Sequence, residues 1–236
     1  MIWIPPKMWE GGECWIIGGG PSMPRQFGIS EDVIEDVLHK RTPPSTYSPY
    51  LSPIHDKHVI GVNAAFLIGD WMDMVFFGDG KFYFQNQEAM NAYPKLRVTC
   101  NPNLHKRPHI KEIKFMARDG NHAVGLTTKK GHISWNHNSG AAAMNVAVHM
   151  GAKRIFLLGF DMTTDDKKNL HWHSEYSTIG HTRTRKEKSL PYHKHTPSFP
   201  FIARDAAAQG IEIINVSLES TLKQFPKMNL EEALKL

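Results

Sequence analysis

Length, composition and charge limit the classes of protein to which this chain can belong. Its 236 residues are enough for one α/β domain with a substantial core, and 41% hydrophobic with 22% charged residues is typical of a soluble globular protein. No apolar run reaches the roughly 18 residues of a membrane span. The beginning of the sequence also lacks the layout of a secretory signal, so we expect neither a membrane-spanning nor a secreted protein.

The charge and the cysteine content indicate an anionic partner and a reducing compartment. The formal net charge is +5, which fits a phosphorylated small molecule and nucleic acid equally well. No DNA- or RNA-binding motif is present and the basic residues are spread along the chain, so nucleic acid is not the favoured partner. Two cysteines are too few for a disulfide framework, and we expect a cytoplasmic protein.

The first predicted strand, 14–17, leads directly into the sequence GGGPS at 18–22. Glycines after a buried strand let the backbone approach a ligand closely and leave N–H groups for a phosphate, and Ser22 adds a hydroxyl. Neither the dinucleotide-binding fingerprint nor a Walker loop is complete here. From this motif alone, phosphate binding and an ordinary glycine turn are both open.

Two further apolar runs end in polar residues. The run 58–63 ends in Asn63, and the run 74–79 ends in Gly-Asp at Asp79. Between and around these runs, apolar spacing predicts helices over 29–39 and 82–93 and a short strand over 97–100. We expect irregular loops at about 41–57 and 101–138, the second of which contains a candidate strand over 111–116.

The stretch 138–161 organises the chain. Asn138 or Ser139 can cap a helix over 141–150, which Gly151 ends, and the apolar run 155–158 is typical of a strand buried on both faces. This strand ends in Gly-Phe-Asp at Asp161. Ligands bind outside the carboxyl ends of parallel strands, so polar strand ends in this pattern predict a binding site at that edge.

A second irregular segment, 169–197, is rich in histidine and basic residues. Loops of this length are usually lids, binding loops or disordered segments. Its histidines suit a general base, a metal site or an exposed surface loop, and its arginines suit a counter-charge for phosphate. The chain then ends with a predicted helix over 199–209, a strand over 211–216 and a helix over 230–236.

The two strand-end carboxylates, Asp79 and Asp161, have two interpretations. They could bind a divalent ion such as Mg²⁺ through a nucleotide phosphate. Each could equally cap the turn that follows it. We therefore expect no metal held by protein ligands alone, and we leave a phosphate-bound cation open.

These motifs together resemble the 6-hydroxymethylpterin diphosphokinase-like superfamily, which is common in phages and prophages. They are similar in layout to the bacterial sialyltransferases of glycosyltransferase family 42, which also pass from a strand into a Gly-x-Gly-Pro-Ser loop. The resemblance implies a Rossmann-like three-layer α/β sandwich with a mainly parallel sheet and a long His-rich loop. The motifs that carry it are IIGGGPSM, VIGVNAAF, DMVFFGDGKFY, NSGAAAMNVAVHMGAKRIFLLGFDM and INVSLESTLKQFP.

The resemblance also implies roles for particular residues. The glycine loop would line a nucleotide phosphate, Asn63 the ribose or phosphate, and the start of the late helix the nucleoside. A histidine in the loop after the Gly-x-Asp strand would act as the base. The nucleotide-binding candidates are Gly18, Gly19, Gly20, Ser22, Asn63, Asp79, Ser139, Gly140 and Asp161. The base candidates are His171, His173, His193 and His195, with His181 also in the loop and Arg183 and Arg185 as the phosphate counter-charge.

We therefore expect a single domain over 1–236 that acts as a nucleotide-dependent transferase. A glycosyltransferase-like enzyme with a nucleotide-activated sugar donor is the favoured form, and its ligand would be a nucleotide or nucleotide-sugar. The alternatives are a diphosphokinase-type transferase and a non-catalytic phage protein that binds a nucleotide or nucleic acid. The acceptor is not identified, and a homo-oligomer is compatible with the sequence.

Overall fold

The computed structural model of the protein describes residues 1–106, 112–178, 190 and 192–236, and its centre is a seven-stranded sheet. The nine strands in this part of the chain are short, and most of their residues are buried. They are β1 (Glu13–Ile17), β2 (Val59–Val62), β3 (Met74–Phe77), β4 (Leu96–Thr99), β5 (Ile113–Phe115), β6 (Ala117–Arg118), β7 (His132–Ile133), β8 (Arg154–Leu158) and β9 (Glu212–Asn215).

In the sequence, the helices of the described residues connect these strands or follow the last of them. The α-helices are α1 (Met23–Gln26), α2 (Glu31–Leu38), α3 (Gly80–Gln85), α4 (Gln87–Ala92), α5 (Pro102–His105), α6 (Ser139–His149), α7 (Tyr192–His195), α8 (Phe199–Ala208) and α9 (Leu230–Ala233). The 3₁₀ helices are Pro44–Ile54, Asn63–Ile68 and Glu175–Thr178.

The sheet is parallel throughout, in the order β5-β4-β3-β2-β1-β8-β9. The chain builds outward from β1 to β5 and then returns to place β8 on the other side of β1. In register, Ile17 of β1 pairs with Gly61 on one side and Leu158 on the other. The order of the strands therefore reverses between β1 and β8, which is where open α/β sheets form their ligand crevice.

Helices cover both faces of the sheet, as the alternation of side chains in β1 shows. Ile16 packs in the core beneath α6 and α8, whereas Trp15 and Ile17 pack in the opposite core with residues of α2 and the 3₁₀ helix Pro44–Ile54. Helix α6 is almost completely buried because its first turns are glycine and alanine, which let the helix lie close to the strands. The expected three-layer α/β architecture with a parallel sheet is confirmed.

Most predicted elements are present with shifted bounds, and four predicted segments differ in kind. One of them is the irregular segment 169–197, which contains the 3₁₀ helix Glu175–Thr178 and α7. The predicted helix 82–93 is two helices, α3 and α4, that meet at Asn86, where the backbone leaves the helical region. The expected loop 41–57 contains the 3₁₀ helix Pro44–Ile54, whose internal prolines disfavour α-helical hydrogen bonding. The irregular segment 101–138 contains α5, β5, β6 and β7. In the described part of the chain, no helix has the length and apolar character needed to cross a membrane.

Asn145 in the middle of α6 fastens the segment after β6 to the helix. Its Oδ1 accepts hydrogen bonds from the backbone N–H groups of Thr127 at 3.1 Å and Ser134 at 3.0 Å. Its Nδ2 donates to the Thr127 carbonyl at 3.0 Å. The side chain is fully buried, so it replaces the backbone pairing that this irregular segment lacks.

We expect Asn145→Ala to lower the free energy of unfolding by about 2–4 kcal/mol, because it leaves buried backbone groups of Thr127 and Ser134 without partners. Chemical denaturation measures this change. Asn103→Ala, on the exposed side of α5, is the control and should change stability by less than about 0.5 kcal/mol. Equal stability of the two variants would contradict the role of Asn145.

Candidate functional site

Four predicted site residues lie at one edge of the sheet. Gly18 follows β1, Asn63 follows β2, Asp79 follows β3 and Asp161 follows β8. Because these strands are parallel members of one sheet, all four residues are at its carboxyl edge. The structure thus places them where the polar strand ends of the sequence predicted a site.

The glycine loop after β1 is bound tightly to the end of β8. The N–H groups of Gly18 and Gly20 donate to the carbonyls of Leu158 and Gly159, both at 2.8 Å. A Cβ atom at Gly20 would lie 2.6 Å from the Gly159 carbonyl oxygen, so only glycine permits this approach.

This packing leaves fewer backbone N–H groups for a phosphate than the sequence predicts. The expectation was that free backbone N–H groups would cradle a phosphate. Instead, the N–H groups of Gly18, Gly20 and Ser22 all donate to acceptors within the protein. Gly19 has the remaining N–H, because residue 21 is proline. Phosphate binding by the loop stays a prediction, and it now depends on Gly19.

Asp161 lies inside a buried polar network. Ser22 donates its backbone N–H to Oδ2 at 2.8 Å and its hydroxyl to Oδ1 at 2.6 Å. The carboxyl is only 2% exposed, and burial raises its pKa, whereas the hydrogen bonds from Ser22 lower it. The hydroxyl of Ser217, after β9, contacts Ser22 at 3.2 Å and accepts the N–H of Gly159 at 3.1 Å. Asp161 therefore joins the loops after β1 and β8, and both of its carboxylate oxygens accept hydrogen bonds in that contact.

Asp79 caps α3, because its side chain accepts the N–H of Lys81 at 2.8 Å. This is the capping interpretation that the sequence left open. Asn63 differs, since its backbone has a φ of 50° and its Oδ1 is buried with no hydrogen-bond partner among the described residues. A buried amide oxygen without a partner calls for an explanation, and a bound ligand is one explanation.

The N-terminus of α6 meets the same edge. Asn138 is the cap, and its Oδ1 accepts the N–H groups of Gly140 at 2.8 Å and Ala141 at 3.2 Å. A Cβ at Gly140 would lie 2.7 Å from the ring of Phe160, which also packs against Gly18. Phe160 therefore fills the space between the glycine loop and α6, and Ser139 stays partly exposed beside it.

Trp172 fastens the His-rich segment to the glycine loop. Its indole N–H donates to the Gly18 carbonyl at 2.8 Å, and its backbone N–H donates to the Gly19 carbonyl at 3.1 Å. The side chain is 1% exposed and packs edge-on against Tyr47. Sequence reasoning missed Trp172, and its position between two histidines was the available signal.

His171 and His173 flank this anchor, and their rings stack with centroids 5.2 Å apart. Nδ1 of His171 lies 3.2 Å from the Gly19 carbonyl oxygen. A carbonyl can only accept, so Nδ1 carries the proton and Nε2 keeps its lone pair. Burial lowers the pKa of His171 to about 4. His171 is therefore neutral at pH 7, with Nε2 able to accept a proton.

His173 has the opposite tautomer. Its Nδ1 accepts the backbone N–H of Glu175 at 3.3 Å, so its proton is on Nε2. Burial lowers its pKa well below the usual value, with a smaller effect from His171. The ring of Tyr176 packs edge-on against both histidines, and its hydroxyl lies near the side chain of Asn63. Tyr176 thereby connects the histidines to the strand-end asparagine.

The other predicted base candidates are farther from the loop. His193 is exposed on α7, with Nδ1 3.0 Å from the Leu190 carbonyl oxygen. His195 is half-buried, and burial lowers its pKa. His181, Arg183 and Arg185 lie outside the described residues. Within residues 1–106, 112–178, 190 and 192–236, no three histidine, cysteine or acidic side chains converge as a metal site.

The fold is shared with known enzymes. No family model matches the sequence, and no curated protein does. The monofunctional α-2,3-sialyltransferase Cst-I of Campylobacter jejuni is similar in structure, with a TM-score of 0.51 and 17% identity over 92% of this chain and 81% of that one. At this identity the likeness shows a common fold.

Two further structures from Campylobacter jejuni are more distant. The sialyltransferase CstII, in complex with cytidine-5'-monophosphate, has a TM-score of 0.48 and 13% identity over 92% of this chain and 84% of that one. An α-2,3-sialyltransferase in apo form has a TM-score of 0.44 and 16% identity over 98% and 84%. None of the comparisons supports the diphosphokinase resemblance or a phage origin.

The pKa of His171 makes stability depend on pH. A histidine at about 4 in the folded state and 6.5 when unfolded binds fewer protons in the folded state between these values. Stability therefore falls as pH falls from about 6.5 to 4, by up to about 3 kcal/mol from this residue. Burial also lowers the pKa of His173, so this residue likewise makes the protein less stable as the pH falls.

We expect His171→Gln to lose less stability than the wild type between pH 7 and pH 5, as denaturation at each pH would measure. His193→Gln is the matched control, because that ring is exposed, and it should keep the wild-type pH dependence. If His171→Gln also kept it in full, the burial of this imidazole would not be what makes the fold sensitive to acid.

Proposed function

We propose that this chain is a glycosyltransferase-like enzyme that uses a nucleotide-activated sugar donor bound at the carboxyl edge of the sheet. The observation that carries the proposal is His171, a neutral histidine whose tautomer is fixed by the carbonyl of the glycine loop itself. Its support from outside the chain is the fold shared with Cst-I, which is named as a sialyltransferase. Fold alone does not specify a reaction, so the proposed chemistry depends on the residues of the site.

The donor would lie beside Gly19 and Asn63. Gly19 offers an N–H that no described residue accepts, and the Oδ1 of Asn63, which has no partner in the described part of the chain, can accept from a ribose hydroxyl. Ser139 adds a hydroxyl at the start of α6, where the helix dipole favours a phosphate. These groups come from the loop after β1, the end of β2 and the N-terminus of α6, all at one edge.

In the reaction, Nε2 of His171 would take the proton of an acceptor hydroxyl. The acceptor oxygen then forms a bond to the anomeric carbon of the sugar. The bond from that carbon to the nucleotide phosphate oxygen breaks, and its electron pair leaves with the phosphate. A histidine with a pKa of about 4 is a weak base in the free protein. A bound phosphate nearby would raise that pKa, because a negative charge stabilises the imidazolium.

The two strand-end carboxylates do not fit a divalent cation well. Both oxygens of Asp161 accept hydrogen bonds from Ser22, and Asp79 caps α3. The charge of the leaving phosphate would instead be balanced by donors and basic side chains. Arg183 and Arg185 stay proposed for that role, outside the described residues.

We expect a nucleotide to raise the melting temperature of the protein. A ligand at 100 times its Kd stabilises the folded state by about 2.7 kcal/mol, or roughly 5–10 °C for a chain of this size. Thermal-shift assays with cytidine, uridine and adenosine nucleotides, each with and without Mg²⁺, test this. Asn63→Gly, which permits the same positive φ but removes the amide, should reduce the shift. If no nucleotide stabilises the wild type, the proposal is wrong.

We expect His171→Ala to lower the transfer rate by about 10²–10⁴-fold with little loss of nucleotide affinity, because a general base acts on the acceptor and not on the bound nucleotide. Transfer and binding are measured separately, with the nucleotide that stabilises the wild type. His58→Ala is the control, because that exposed histidine directly precedes β2 at the opposite edge of the sheet, and it should retain most of the activity. Full turnover by His171→Ala would assign the base to another residue.

A further inference from the structure

A groove of about 480 Å³ lies on the surface next to the histidine cluster. Its walls come from the residues just before α6 and from the segment that contains α7. Among the described residues that line it, none is acidic and four carry or can carry a positive charge. The lining residues are Trp135, His137, His193, Lys194, His195 and Pro197.

Trp135 gives the groove a fixed aromatic wall. Its ring lies so close to Gly78 that a Cβ there would come within 2.2 Å of it. The guanidinium of Arg118 stacks over the ring at 4.3 Å from its centroid. The side chain nonetheless stays partly exposed. A rigid, partly exposed indole is a surface on which the apolar face of a sugar ring can pack at little cost in conformational entropy.

The rim of the groove supplies the charge. Lys194 and His193 are exposed on α7, and His137 is exposed on the opposite side. Lys194 carries an ammonium group with three donors, and each imidazole donates from both ring nitrogens when it is protonated. An indole face surrounded by such donors suits a ligand that is both a sugar and an anion.

The groove also adjoins the proposed base. His195, which lines the groove, is near enough to His171 to lower its pKa. His171 in turn contacts the glycine loop. A ligand in the groove would therefore lie on the α7 side of the proposed base.

We propose that this groove binds an anionic saccharide, with its ring on Trp135 and its carboxylate or phosphate toward Lys194 and the rim histidines. The role of the groove as the acceptor subsite of a transferase rests on the proposed function. The binding of anionic sugars by the groove is inferred from its geometry alone.

The test compares two monosaccharides that differ in one group. Methyl glucuronide and methyl glucoside have the same ring, and only the first has a carboxylate. Their affinities are measured by calorimetry or ligand-observed NMR, without nucleotide. We expect the glucuronide to bind about 2- to 5-fold more tightly, the range typical of a solvent-exposed ion pair. Glucose 6-phosphate, measured in parallel, shows whether a phosphate is preferred to a carboxylate.

Variants then locate the binding. Lys194→Gln should reduce the glucuronide affinity to that of the glucoside, whereas Lys95→Gln, an exposed lysine outside the groove, should not. Trp135→Leu should weaken both sugars about 5- to 10-fold, and Trp135→Phe should retain most of the binding. Equal affinities of the two sugars, no binding of either, or binding unchanged in Lys194→Gln would overturn the proposal.

The outcomes separate this proposal from the proposed function. If nucleotide binding and transfer occur but Lys194→Gln leaves the KM for acidic acceptors unchanged, the groove is not the acceptor subsite. If the glucuronide binds through Trp135 and Lys194 but no nucleotide stabilises the protein, the groove stands and the transferase proposal falls.

Discussion

The contact between Asp161 and Ser22 is the constraint on which the candidate site depends. It joins the loops after β1 and β8 at the point where the order of the strands reverses. The carboxyl is buried, and the raised pKa reports the cost of desolvating its charge. Hydrogen bonds from Ser22 offset that cost, so loss of the Ser22 hydroxyl would leave a buried carboxylate with one donor fewer, at a cost of about 1–3 kcal/mol. The buried contact therefore fixes the glycine loop in one conformation.

With the loop fixed in this way, its carbonyls are the groups that contact the His-rich segment. Glycine-rich loops after a first strand usually act through their N–H groups, which bind phosphate. Here two of the glycine N–H groups donate to the last residue of β8 and to the residue after it. The carbonyls of Gly18 and Gly19 both accept hydrogen bonds from Trp172, and the Gly19 carbonyl also contacts His171. The loop thereby positions a histidine from a segment more than 150 residues later in the chain. An activity of this site would depend on that long-range contact.

The sequence predicted the sheet and its polar edge because both follow from local patterns. Short apolar runs that end in Gly18, Asn63 or Asp161 are visible without any knowledge of the fold, and parallel strands bring such ends together. The sequence could not distinguish His171 from His173, His193 and His195. That distinction depends on which ring meets the Gly19 carbonyl, and composition and spacing do not record that contact. The same limit applies to Asn145, whose partners are backbone groups of an irregular segment.

The low pKa of His171 has a consequence for the order of events at the site. A neutral imidazole held by the Gly19 carbonyl has its lone pair available at pH 7, but its low pKa gives little driving force for proton transfer. A bound donor phosphate would add a negative charge and raise that pKa, so the base would gain strength only once the donor is present. Before the donor binds, the ring would be a poor base toward water or a free hydroxyl. Burial of His171 would thus link proton abstraction to donor binding and limit unproductive reaction of the empty site.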